Sequence, residues 1–216
     1  MTKYYNENVI ENIDPSIVKH PMFDEWFKIV EPVLMHDEFQ KRKLFFHHFD
    51  LSVWDHSILV SFNAYLYSLY FKCDSRVCAL AGLLHDFYPW TWQYNEELEE
   101  LDGGKYLVEV KTKHPLFRQH GFTHGKAASI NYVKYFPELE DEKITNSIKR
   151  HMFPLTPIPP KYKEGILISM VDKLNSSREL PTISYFAKTA SSKLKFKPKL
   201  EKEYNNDWKL KFNILE

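Results

Sequence analysis

Apolar residues recur along most of this chain at steps of three and four, the period of one helix face. After Pro21, the set Phe23, Trp26, Phe27 and Val30 predicts a short amphipathic helix. It should end near Pro32, because proline lacks the N–H that a helix interior needs. A second helix is expected around Val33–Phe46. Ser52 has the side chain of an N-cap and predicts a longer helix to about Phe71, with Val53, His56, Val60 and Tyr67 near one face. Asp74 or Ser75 would cap the next helix, which carries RVCALAGLLHDF. Further helices are expected at about 124–136, 141–152, 163–177 and 182–195. Residues 88–122 read as irregular, since Pro89, Asp102-Gly103-Gly104 and Pro115 interrupt any period. Within them, YLVEV fits a short strand or a helix turn. The opening stretch to about His20 is polar and is expected to be weakly ordered. The pattern is that of an all-α, single-domain helical bundle.

Composition narrows the function classes. The 216 residues are 44% hydrophobic and 16% aromatic, enough for one full core. Lys+Arg and Asp+Glu both number 29, so the formal net charge is zero, which argues against bulk nucleic-acid binding. The lysines at 193, 195, 197, 199 and 202 read as a solvated face. No apolar run approaches the roughly 18 residues of a membrane span, and the N-terminus has no signal core. A soluble, cytoplasmic protein is expected. Cys73 and Cys78 are the only cysteines and read as reduced thiols without zinc-finger spacing.

Against that background, one set of residues stands out: His56, the pair His85-Asp86, His124, His151 and Asp172. Imidazole and carboxylate are the side chains that divalent metals take without thiolate. His56 lies three residues after Val53 and four before Val60, which puts it on the apolar stripe of its helix. His151 ends the row Ile144, Ile148, His151. Asp172 follows the apolar run GILISMV, where an ionised carboxylate needs a cation or strong donors. Ala81 and Gly82, one turn before the pair, are small enough to let a neighbouring helix come close. A lone histidine on an apolar face is more often a hydrogen-bonded core residue, and Asp172 has Lys173 beside it. The joint pattern is what points to metal, because successive candidates fall on successive helices.

The residues that carry a resemblance are VWDHSILVS, AGLLHDF, HGKAAS, RHMFPLTPIPP and SMVDKLNSSRE, in that order over about 45–180. They resemble the HD-domain superfamily of metal-dependent phosphohydrolases, and within it a group of small bacterial HD-domain proteins. The resemblance extends more distantly to bacterial HD hydrolases of dinucleoside polyphosphates. It implies an HD core at 45–180, an N-terminal helical extension at 1–44, and a C-terminal helix and tail at 181–216. It implies that His56, His85, Asp86 and Asp172 bind a first metal. His124 and His151 match the extra histidines of two-metal members, with Asp86 as the bridge. Met152 follows His151 where cyclic-dinucleotide-cleaving members have a second histidine, which counts against a third metal and that substrate. Ala128 stands where related proteins often have glycine or threonine.

The implied activity is hydrolysis of a phosphate ester or anhydride, a nucleotide above all, by a metal-bound hydroxide. The cofactor would be one or two ions of iron, manganese, nickel, cobalt or zinc. Asp86 and Lys173 are the candidate catalytic residues. Lys126, near a helix N-terminus that favours anions, and Arg150, His120 and Trp90 are candidates for substrate contact. Trp92, Phe87 and Tyr88 are further candidates for a pocket wall. Arg178 flanks the last motif, and His48 is read as an outer or surface residue. MFPLTPIPP is expected to form a rigid rim, with residues 88–122 as a lid. Expected partners are a small phosphorylated substrate and, in one alternative, a second copy of the chain. Nucleic acid and membrane are not expected. Two other readings remain open: a di-iron oxygenase of the HD type, and a regulatory domain that binds metal and nucleotide without turnover.

Overall fold

Two helix starts are fixed by side chains that the sequence marks. The computed structural model describes residues 9–45, 51–89 and 120–179. Ser52 accepts the Asp55 N–H at 3.1 Å, and the Ser52 N–H donates to the Asp55 carboxylate at 3.2 Å, closing a capping box. Helix α4 runs from it over Val53–Phe71. Asp74 accepts the Val77 N–H at 3.2 Å and opens α5, Ser75–Leu84. Before these lie α1 (Pro15–Val18), α2 (Phe23–Leu34) and α3 (Asp37–Gln40); after them come α6 (His120–Tyr135), α7 (Glu142–Arg150) and α8 (Lys163–Glu179). Among the described residues the fold is all-α, as the periodicity predicts. No helix among them is long and apolar enough to cross a membrane.

Helices α4 and α5 occupy the centre. Both are buried on several sides, through Val53, Trp54, Ile58, Val60, Phe62 and Ala64 of α4 and every residue of α5 from Val77. α2, α7 and α8 pack around α5, and α8 also lies against α4. The two central helices nearly touch at Gly82, where a Cβ would sit 2.9 Å from Ser61 Cα. Trp26 Nε1 donates to Ser61 Oγ at 2.9 Å, and Ser61 Oγ donates to Ala79 O at 2.7 Å, so one polar chain ties α2, α4 and α5.

The structure corrects several expectations. Residues 9–18 are not weakly ordered: a 3-10 turn at Val9–Asn12 and then α1 bury Val9, Ile13 and Ile17 in the main core. Residues of the expected N-terminal extension thus share one core with the rest. Helix α2 does not stop at Pro32 but continues to Leu34, because Pro32 lies on the exposed side while Val33 and Leu34 are fully buried. The expected helix around Val33–Phe46 is broken at His36. That residue takes an extended conformation and accepts the Glu38 N–H through Nδ1, starting α3, which passes into a 3-10 turn at Lys41–Leu44. α6 begins at His120 rather than near 124. YLVEV, most of the irregular 88–122 stretch, the 182–195 helix, the lysine run and the C-terminal tail lie outside the described residues.

His20 gives the fold a pH signature. It is buried, its Nδ1 accepts the Met22 N–H at 3.1 Å, and its ring meets Phe62 edge-on. Burial lowers its pKa below the ordinary imidazole value of about 6.5. The unfolded chain therefore takes up the proton first. The stability is fully present above the unfolded pKa and is lost as pH falls through the lower folded one. Melting temperature measured from pH 7.5 down to pH 5 should fall more steeply for wild type than for His20→Gln. Parallel curves would remove this role.

Candidate metal centre

The ends of α5 and α7 are built alike. α5 stops at Leu84, so His85 and Asp86 sit in the turn after it, not within the helix as expected. α7 stops at Arg150 and His151 follows as its C-cap. In each case the ring turns back on its own helix. His85 Nδ1 lies 2.7 Å from Gly82 O, and His151 Nδ1 lies 2.7 Å from Ile148 O. Carbonyls of a last helical turn lack a partner in the helix, and the imidazole N–H fills that need. Nδ1 then donates to the carbonyl, and Nε2 is turned inward.

The other candidates arrive from three more helices. His56 comes from α4, His124 from α6 and Asp172 from α8, all buried. His56 Nε2 is 3.2 Å from Asp172 Oδ1, and His85 Nε2 is 3.6 Å from the same oxygen. Asp86 reaches both sides: Oδ2 is 3.5 Å from His85 Nε2, and Oδ1 is 3.3 Å from His124 Nε2 and 3.6 Å from His151 Nε2. All six sequence candidates for metal binding therefore come together. They form three overlapping groups whose ligand atoms lie within 4.8 Å of one another: His56, His85, Asp86; His85, His151, Asp172; and Asp86, His124, His151.

The donor set fits a cation. His85 Nε2 is fully buried and faces the Asp86 and Asp172 carboxylates at 3.5 and 3.6 Å, just beyond normal hydrogen-bond distance. His124 Nε2 and His151 Nε2 approach to 2.9 Å, a distance that requires a proton or a cation between their lone pairs. Burial lowers the His151 pKa to about 3, helped by the His124 and His85 rings, so this imidazole is neutral at physiological pH. Burial alone would raise the pKa of both carboxyls. For Asp86, His85 and then His124 and His151 outweigh it; for Asp172, His56 and His85 do. Both are held well below the usual carboxylate range and stay ionised. Neutral imidazoles and ionised carboxylates are the forms that bind metal.

Gly125 explains how α6 comes so near. A Cβ there would stand 3.1 Å from Ile148 O, 3.2 Å from Lys149 O and 3.3 Å from His151 Cε1, so a bare backbone lets His124 reach His151. Lys173 sits at the rim. Its ammonium donates to His151 O at 2.8 Å and to Ser169 Oγ and O at 3.1 and 3.2 Å, with Asp172 Oδ2 at 3.7 Å. Burial lowers its pKa, and Asp172 and Asp86 oppose that. Lys126 is exposed on α6, and Arg150 is partly buried in the last turn of α7. Trp90, Trp92 and His48 lie outside the described residues, as do the side chains of His120 and Arg178. Phe87 is packed in the main core, while Tyr88 is buried in a smaller cluster with Phe45 and Val53, its ring edge-on to His124 with centroids 5.9 Å apart.

Three supporting residues escaped the sequence. Arg42 is wholly buried, with its guanidinium 4.5 Å from the centroids of both Phe45 and Phe87. Asn131 Nδ2 donates to Phe87 O at 2.8 Å, tying α6 to the turn that holds Asp86. Ser169 Oγ lies 2.7 Å from His151 O and 2.6 Å from Phe153 O. Arg42 is one cation in the run KRK, and no spacing marks it or Asn131. Comparison of the chain with protein-family models, with curated proteins and with solved structures gives no match.

Proposed function

We propose that the chain is a metal-dependent phosphohydrolase of the HD-domain type, acting on a phosphate ester or anhydride with nucleotides as the substrate class. The observation that carries this reading is the convergence of four imidazoles and two ionised carboxylates from five separate segments. His56, His85, Asp86 and Asp172 would hold one cation, and Asp86, His124 and His151 a second. Iron, manganese, nickel, cobalt and zinc all suit such a set. A bound cation supplies Lewis acidity, which brings the pKa of a coordinated water toward neutrality and offsets charge on a phosphoryl oxygen. The chain's part is to hold and orient. Asp86 spans the two halves, and the Lys173 ammonium stands 3.7 Å from Asp172 Oδ2 at the rim. Lys126 and Arg150 are the described cations proposed for the phosphate, with His120 and Trp90 as further proposed contacts.

The test is elemental analysis of protein purified without chelator, then a screen of nucleotides and phosphoesters with that metal restored. Phosphate release with one or two equivalents of metal is expected. Tight nucleotide binding without product would favour a regulatory domain, and oxygen uptake by an iron-loaded protein would favour an oxygenase. Protein that neither retains nor takes up metal would end the reading. The two-ion form makes a separate prediction. His124→Ala or His151→Ala should take the content from two equivalents to one. A wild type that never exceeds one equivalent refutes it.

A further inference from the structure

α4 and α8 share two buried polar contacts, and at the exposed end of their seam Lys163 Nζ donates to Lys72 O, the C-cap carbonyl of α4. One of the buried contacts joins His56 and Asp172. The other is Asn63 Nδ2 donating to Asn175 Oδ1 at 3.2 Å, with both side chains buried. Asn63 is seven residues past His56, two turns along the same face, and Asn175 is three past Asp172. The amide pair is a costly way to fill that position: Asn63 Oδ1 and Asn175 Nδ2 are buried with no hydrogen-bond partner. Two leucines would pack there without orphaned groups, and replacing both members of such a pair by apolar residues is close to neutral or stabilising. In coiled coils, however, a single buried asparagine selects one register among those that an all-apolar seam leaves open, at a cost in stability.

We propose that Asn63 and Asn175 are positioning residues that set the register and crossing of α4 on α8, so that His56 and Asp172 meet. The exposed Lys163–Lys72 bond leaves the buried part of the crossing to two points, and the amide pair supplies the second of them. The metal-binding reading enters only one of the two tests. The first uses metal-free protein with 15N-labelled histidine. Asp172→Asn should move the His56 imidazole signal in the wild-type background and leave it unmoved in an Asn63→Leu/Asn175→Leu background, while that double variant melts at or above the wild-type temperature. An equal response of His56 in both backgrounds overturns the proposal. The second is Co²⁺ titration, followed by its visible absorption. The double variant should bind at least about tenfold more weakly, the loss typical when the groups orienting a ligand are removed. Wild-type affinity and spectrum would also overturn it. If the wild type takes up no Co²⁺, the metal reading fails by itself, and the His56 comparison still decides. Should the double variant melt too low to study, Asn175→Ser shortens the reach without adding volume and carries the same expectation.

Discussion

Asp86→Ala will strip the protein of metal and with it any phosphohydrolase activity. Of the six ligand candidates, Asp86 faces three histidines, His85 through one oxygen and His124 and His151 through the other. Removing it takes an anionic ligand from both halves at once, whereas loss of His56 or His124 touches one. Changes to outer-shell partners alone cost metal sites about 10–100-fold in affinity or activity, so loss of the shared carboxylate should exceed 100-fold. Asp86→Asn separates charge from shape, since it keeps the volume and one oxygen but not the anion. It should lose metal nearly as fully if charge is what holds the cation. Elemental analysis and phosphate release on the same preparations measure both. An Asp86→Ala protein with full metal content and full activity would sink the site assignment. The fold should survive either change, because the main apolar core of α2, α4, α5 and α7 does not use this side chain.

The parts of this architecture that were legible in sequence are those decided locally. Ser52 and Asp74 announce helix starts by their own chemistry, and both cap as expected. The six ligand candidates were visible because polar groups on apolar faces are conspicuous one at a time. What was hidden depends on a partner elsewhere. Val9, Ile13 and Ile17 recur at four-residue steps, yet the polar residues between them masked a segment that only tertiary burial makes helical. Pro32 reads as a stop, but its side faces solvent and the burial of Val33 and Leu34 carries the helix past it. Asn63 looks like any asparagine until α8 brings Asn175 to it. Arg42 looks like a surface cation until Phe45 and Phe87 close over it. The end of α5 was misplaced for a related reason. HDF continues the helical pattern, while the bond from the His85 ring to Gly82 O is the feature that finishes the helix.

Gly82→Ala will open the centre of the molecule. In an isolated helix this change would help, because alanine is favoured over glycine by about 1 kcal/mol. Here the added Cβ would stand 2.9 Å from Ser61 Cα, 3.2 Å from Ser61 N and 3.3 Å from Val60 O. All three are backbone atoms of α4, so no side chain can swing away to make room. α4 and α5 must move apart, and overpacking of this kind costs about 1–3 kcal/mol and occasionally more. The net effect is destabilising, because the clash is with a buried helix that α2 also braces through Trp26 and Ser61. The movement also reaches the candidate site. Gly82 O is the acceptor that orients His85, and His56 rides on α4 one turn before Val60, so separating the helices moves these two imidazoles apart. The variant should therefore melt several degrees lower and lose metal affinity even at temperatures where it is fully folded. Thermal unfolding followed by metal titration well below the transition distinguishes the two effects. A Gly82→Ala protein as stable as wild type would show that α4 and α5 do not approach so closely. One that is less stable yet binds metal normally would show that their spacing does not set the His56–His85 geometry.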